Sequence, residues 1–230
     1  MSIYDRSEKL LGAENINKIK QSRVFIAGLG GVGSYAMESL IRSGVGEIGI
    51  ADFDTVDISN LNRQLETLQT NIGQKKVDIF EQRAKEINPY IVINKYPLFI
   101  RTDNIDLLQI DHYDLLIDCI DSVEGKLAMW KYCQNHNIPF ISSLGMANRI
   151  NPTNVKITKL NKTTDDPLAR KLRHQAKEEG LDLNIDVVFS SEIPLKVSEN
   201  KQELGSMIFV PAEAGLCCGY WAINYLINRC

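Results

Sequence analysis

The chain has 230 residues, 44% of them hydrophobic and 24% charged, with a net charge of −3. That length buries a substantial core without disulfides or metals, and that charge argues against general, charge-driven nucleic-acid binding while leaving room for a local basic patch. The five cysteines (Cys119, Cys133, Cys217, Cys218 and Cys230) are odd in number and none are spaced Cys-x-x-Cys, a pattern of reduced cytosolic thiols with no zinc framework.

The N-terminus, with Asp5, Arg6, Glu8 and Lys9, is not a signal peptide in character. Residues 8–21 read as a short amphipathic helix, and 23–27 as a buried strand that runs straight into a glycine loop. Residues 34–43 have helical spacing, with Ala36, Leu40 and Ile41 on one face, and 47–52 form a second buried strand. This is a βαβ unit, and the rhythm continues with a helix at 75–87, strands at 91–96 and 115–120, a helix at 123–135 and a strand at 139–143. Beyond it come a strand with one wet face at 154–160, a basic helix at 166–179 and a strand at 185–191. Ser, Glu, Asn, Lys and Gln cluster at 196–204, the composition of a flexible loop. Residues 207–227 are apolar and of bilayer length, but Pro211 and Glu213 interrupt them and Gly215 and Gly219 lie inside. They read as a short strand running into a buried C-terminal helix, not as a membrane span. The expected fold is α/β, a Rossmann-like doubly wound and mostly parallel sheet with additional C-terminal strands and helices.

Gly28-x-Gly30-x-x-Gly33, with Gly31 between, lies between a strand and a helix. Such glycines allow a tight turn and let backbone N–H groups approach phosphate oxygens at a helix N-terminus. Asp52 closes the next strand, where a carboxylate accepts hydrogen bonds from ribose hydroxyls. The loop by itself favours NAD, and its bland reading is a turn that packs helix on strand. The polar run Asp52-Phe-Asp54 to Ser59-Asn60-Leu-Asn62-Arg63-Gln64, followed by Gly73 and Lys76, shifts the balance. A triphosphate attacked at its α-phosphorus releases pyrophosphate, whose charge cations must compensate, and Arg63 and Lys76 suit that task. Asp118-Cys-Ile-Asp121 ends a later buried strand, where a carboxylate could hold Mg²⁺ or Asp121 could cap the next helix; Asp118 could be structural and Asp121 the metal ligand.

These pieces together resemble the ubiquitin-activating-type adenylating superfamily. The resemblance implies one ThiF-like adenylating domain over 1–230, with 150–210 as a substrate-binding extension, using ATP and Mg²⁺. It implies that the glycines cradle the nucleotide with Asp54, Asn60, Asn62 and Gln64, that Asp52 binds ribose, that Arg63 and Lys76 hold phosphates, and that Asp121 binds the metal. Arg6, in Tyr4-Asp-Arg-Ser-Glu-Lys-Leu-Leu-Gly12, resembles an arginine that reaches the partner subunit's ATP, which implies a homodimer.

Ile87-Asn-Pro89, Asn151-Pro-Thr153, Lys162-Thr-Thr-Asp-Asp-Pro-Leu-Ala169 and Val187-Val-Phe-Ser-Ser-Glu192 resemble the tRNA threonylcarbamoyladenosine dehydratase branch. That branch activates the threonyl carboxylate of the modified adenosine next to the anticodon, and the side chain then cyclises with loss of water overall. The implied partners are that tRNA and a second copy, with proteins of a sulfur-transfer or desulfurase system left open, in the cytoplasm and away from membranes. The alternative is an adenylyltransferase activating the Gly-Gly tail of a small ubiquitin-like sulfur carrier, whose usual zinc-binding Cys-x-x-Cys pairs this chain lacks. A third reading is an NAD(P) oxidoreductase or a non-catalytic nucleotide module. One departure stands out: the family's glycine-rich turn before Asn-Pro-Thr appears as Gly145-Met-Ala-Asn-Arg-Ile150.

A carboxylate is already a nucleophile, so adenylation needs positioning and charge stabilisation instead of a base. His112, His136 and His174 read as surface residues and Cys119 as core. Lys159, Lys162, Arg170, Lys171, Arg173, His174 and Lys177 form a basic cluster. It is either a salt-sensitive tRNA contact or a solvated helix face balanced by Asp165, Asp166, Glu178 and Glu179.

Overall fold

In the computed structural model, which describes residues 3–196 and 204–229, the alternating elements assemble into one seven-stranded sheet of order β3-β2-β1-β4-β5-β7-β6. The strands are β1 (Arg23–Ala27), β2 (Glu47–Ala51), β3 (Val92–Tyr96), β4 (Leu115–Asp118), β5 (Phe140–Ser143), β6 (Val155–Lys159) and β7 (Asp186–Ser190). All neighbours are parallel except β6 and β7. The central strands carry apolar side chains on both faces and are fully buried (Val24, Phe25 and Ile26 in β1, Leu115 to Ile117 in β4), as a sheet covered by helices on both sides requires. β6 lies at the sheet edge with only partial cover, which explains its alternating sequence.

The helices are α1 (Asp5–Leu11), α2 (Ala13–Lys20), α3 (Gly33–Ser43), α4 (Lys76–Ile87), α5 (Val123–His136), α6 (Pro167–Glu178) and α7 (Phe209–Asn228). Three expectations need correction. The single helix at 8–21 is two, because Gly12 breaks it with φ +82°. Residues 102–108 form 3₁₀ turns where no element was expected. The strand expected at the start of 207–227 does not form: the described residues 204–208 that lead into the C-terminal helix are irregular. Most of the loop expected at 196–204 lies outside the described residues.

α7 packs along α3, and its glycines set how closely. A Cβ on Gly215 would stand 2.3 Å from the Val32 carbonyl oxygen, and one on Gly219 would meet Ser39 Oγ at 1.9 Å. Pro211 falls in the first turn of α7, where its missing N–H costs nothing. Among the described residues no helix is long and apolar enough to cross a membrane.

Chain order reverses between β1 and β4, which continue to opposite sides of the sheet. Ligands of open α/β sheets bind in the crevice beyond the strand ends at such a reversal.

Candidate functional site

A cavity of about 1010 Å³ opens at that point. One half is built by the β1–α3 loop, the segment after β2 and the start of α4. Gly28 takes φ +86°, and a Cβ there would lie 2.9 Å from the Cys119 backbone. A Cβ on Gly33 would sit 1.8 Å from the Gly28 carbonyl oxygen, so the turn closes only on glycine. The Asp52 carboxylate fixes the loop from outside, accepting the Leu29 N–H at 2.7 Å and the Asp54 N–H at 2.9 Å. Burial pushes the Asp52 carboxyl above its usual range, against the opposing pull of Lys76 and the two N–H donors.

Lys76, 3% exposed at the first position of α4, donates to Asp54 Oδ2 at 2.8 Å. Arg63 donates to the Ser59 carbonyl at 2.7 Å and to Asn62 Oδ1 at 2.9 Å. Asn62 also donates to the Ser206 carbonyl at 2.9 Å, and Asn60 Oδ1 accepts the Asp57 N–H at 3.0 Å. Both asparagines thus help to hold the segment that carries Arg63. Gln64 is buried beside Gly30, and its side-chain oxygen Oε1 has no hydrogen-bond partner among the described residues, whereas its backbone carbonyl accepts from Thr67 Oγ1 at 2.7 Å.

Gly28, Gly30, Gly31, Asp52, Asp54, Asn60, Asn62, Arg63, Gln64, Lys76 and Asp121 all line this cavity. Gly33 stands behind it at the start of α3. Arg6 does not join them: it is exposed on α1.

At the end of β4 two aspartates have separated roles. Asp118 is fully buried and accepts from Lys126 Nζ at 3.0 Å, Trp130 Nε1 at 3.0 Å and Ser142 Oγ at 2.6 Å. Lys126, also fully buried, donates further to Ser142 Oγ at 3.0 Å and the Ser143 carbonyl at 2.7 Å. This network locks β4, β5 and α5 together under the cavity floor. Asp121 is exposed to the cavity, and no hydrogen bond or ion pair among the described residues engages its carboxylate. It does not cap α5, because Ser122 Oγ accepts the Gly125 N–H. The described residues hold no cluster of three or more metal-ligating side chains. A free carboxylate facing a phosphate cradle fits Mg²⁺, which is commonly held by one or two carboxylates and substrate phosphates. Cys119, expected inside the strand, is the first residue beyond it and lines the cavity.

The other half of the cavity was legible only in part: the turn at 145–150 and the segment 162–169 stood out in the sequence, while Leu98 to Ile100 and Pro194 did not. Leu98 to Ile100 and the exposed Phe53, whose ring meets Phe99 edge-on at 4.8 Å, form one rim. Ser143 to Arg149, Asp166 to Leu168, Pro194 and Pro211 form the far wall. A lysine inside the apolar run Lys126-Leu-Ala-Met-Trp130 was the legible sign of a buried partner such as Asp118. That these pieces meet in one far wall had no comparable sign, because they are distant in sequence.

The basic cluster is thinner than its composition. Arg173 donates to the Leu160 and Thr163 carbonyls and to Thr163 Oγ1. Lys159 pairs with Asp186 at 2.9 Å and His174 lies 3.2 Å from Glu178. Lys162, Arg170, Lys171 and Lys177 remain exposed without an ion-pair partner among the described residues.

Fold and cradle define a nucleotide-binding protein of the adenylating type. Residues 4–210 match the ThiF family, and the chain belongs to it. It is similar to the tRNA threonylcarbamoyladenosine dehydratase of Bacillus subtilis (strain 168), at 37% identity over 240 residues, covering 98% of this chain and 94% of that protein. The protein of the same name from Escherichia coli (strain K12) is 36% identical over 196 residues, covering 82% of this chain and 73% of that one. The crystal structure of the E. coli tRNA N6-threonylcarbamoyladenosine dehydratase TcdA in complex with ATP superposes with a TM-score of 0.91 at 32% identity, covering 97% of this chain and 93% of that one.

Proposed function

We propose that this protein is an ATP-dependent tRNA-modifying enzyme that adenylates the threonyl carboxylate of threonylcarbamoyladenosine, next to the anticodon, and cyclises it. The observation that carries this reading is one cavity in which the residues of a triphosphate cradle face a wall that includes Asp166 to Leu168, from a segment that resembles the dehydratase branch.

The glycine loop binds the phosphates through backbone N–H groups at the α3 N-terminus. Asp52 receives the ribose hydroxyls on its remaining lone pairs. Asp54 orients the Lys76 ammonium, leaving two of its three donors for phosphate oxygens. Arg63 compensates charge on the departing pyrophosphate. Asp121 would hold Mg²⁺, which would supply further charge neutralisation for the phosphates. The substrate carboxylate attacks the α-phosphorus, a new P–O bond forms, and pyrophosphate leaves; no protein base is needed. A side-chain nitrogen of the modified nucleoside then attacks the acyl carbon. The C–N bond forms, the C–O bond to AMP breaks, and the nitrogen's proton is released.

Arg6 lies outside its own cavity, which supports its assignment to the nucleotide of a second subunit and hence a homodimer. The segment 150–210 forms the acceptor extension, and Lys162, Arg170, Lys171 and Lys177 are the cations left to meet tRNA phosphates. The working compartment is the cytoplasm. Sulfur-transfer or desulfurase proteins are partners by resemblance alone.

The test is pyrophosphate release from Mg-ATP by the purified protein. Modified tRNA stimulates it and a Gly-Gly-tailed carrier protein does not; the opposite pattern refutes the reading. In cells lacking the gene, nucleoside mass spectrometry finds the open threonylcarbamoyladenosine in place of the cyclic form. Arg63→Ala and Asp121→Ala abolish adenylate formation at unchanged melting temperature.

A further inference from the structure

The turn with few glycines, residues 145–150, is held by side chains instead. Arg149 is 3% exposed. Its Nε donates to the Glu192 carbonyl at 3.0 Å and its Nη1 to the Gly145 carbonyl. Its Nη2 lies 3.5 Å from the Asp165 carbonyl oxygen and 3.7 Å from Asp166 Oδ2. That Asp166 oxygen is buried and accepts no hydrogen bond among the described residues, while its twin caps α6 at the Ala169 N–H. Burying a guanidinium is costly unless its donors are satisfied. Here they are spread over three chain segments: the β5 exit, the α6 N-terminus and the stretch after β7. All three border the far wall of the cavity. The Glu192 carboxylate ties the same loop again, accepting the Ile150 and Asn151 N–H groups at 3.0 and 2.9 Å.

We infer that Arg149 is the positioning residue for the acceptor: its planar fork fastens these three segments into one wall that presents the acceptor to the α-phosphorus. The identity of the acceptor rests on the function proposed above. Among the described residues Arg149 makes no bond to the phosphate loop, Arg63 or Lys76. Its loss therefore falls on the acceptor and spares ATP. A lysine, a single-point donor on a flexible stem, cannot replace a fork that bonds in three directions.

The test compares Arg149→Gln and Arg149→Lys with the wild type in three measurements. Both variants raise KM for modified tRNA by about tenfold or more, as loss of substrate-binding contacts does, while calorimetry finds Mg-ATP affinity within about twofold. Hydrogen exchange quickens at residues 144–151, 165–169 and 192–195 and stays unchanged in β1 and α3. Full recovery of KM by the lysine variant, a parallel loss of ATP affinity, or unaltered exchange in the three segments overturns the inference. If Arg149→Gln does not fold, Glu192→Gln, which weakens the hold on Ile150 and Asn151 and leaves the Arg149 bonds in place, must give the same KM-selective defect. A wild-type protein that turns over no modified tRNA refutes the function proposed above, and the exchange measurement still decides whether Arg149 couples the wall.

Discussion

Glu66 is 5% exposed, and neither carboxylate oxygen accepts a hydrogen bond among the described residues. Its nearest cation, Arg83, stands 3.9 Å away and spends its donors on Glu38 at 2.8 and 3.0 Å. Burial, reinforced by the Glu38 charge and opposed by Arg83, pushes the Glu66 carboxyl from 4.5 up to about 8. Between those values the folded protein holds a proton that the unfolded chain has released. Stability is therefore greatest below pH 4.5 on this account, falls as pH rises, and levels off above about 8. pH 7 lies 2.5 units above the ordinary midpoint of 4.5, so keeping the carboxyl protonated there costs roughly 3 kcal/mol. Glu66→Gln keeps the shape and removes the titration. The variant gains roughly 3 kcal/mol at pH 7 and under about 1 kcal/mol at pH 5, or some 6–12 °C against a few degrees in melting temperature for a chain of this size. Urea unfolding of both proteins at pH 5, 6, 7 and 8 measures the difference. An equal effect at every pH, or a loss of stability at pH 7, refutes the reasoning.

Lys126→Met leaves Asp118 buried without its cation, costs about 3–5 kcal/mol and is read by chemical denaturation. Gly219→Ala drives a methyl into Ser39 at the α3–α7 crossing and costs about 1–3 kcal/mol; the thermal melt reports it, and an unchanged melt refutes the close approach. Asp52→Asn loosens the phosphate loop and lowers Mg-ATP affinity with little change in stability, measured by calorimetry.

The sheet was legible because its strands are short apolar runs and its helices carry 3.6-residue periodicity, both local signals. Misreadings fell where a single residue or a neighbour decides. Gly12 splits one periodic helix in two, and the residues before α7 resemble a strand but pair with none. The nucleotide half of the cavity was equally legible, since Gly28 to Gly33, Asp52 and the Arg63–Lys76 segment are near in sequence and each needs its residue type for a local reason. In three dimensions Asn60 and Asn62 also hold the segment carrying Arg63, and Asp118 binds Lys126 beneath the floor.

The sequence by itself determined a parallel α/β sheet, a phosphate loop and the cations beside it. Only the tertiary structure decided what faces them. Arg149, Asp166 and Glu192 lie on three segments whose separation in the chain hides any pattern, and a buried ion pair or shared guanidinium depends on which segments the packing of β5, β7 and α6 brings within hydrogen-bonding distance. The same packing decided which basic residues of α6 turn inward, as Arg173 does, and which stay free for an anionic partner.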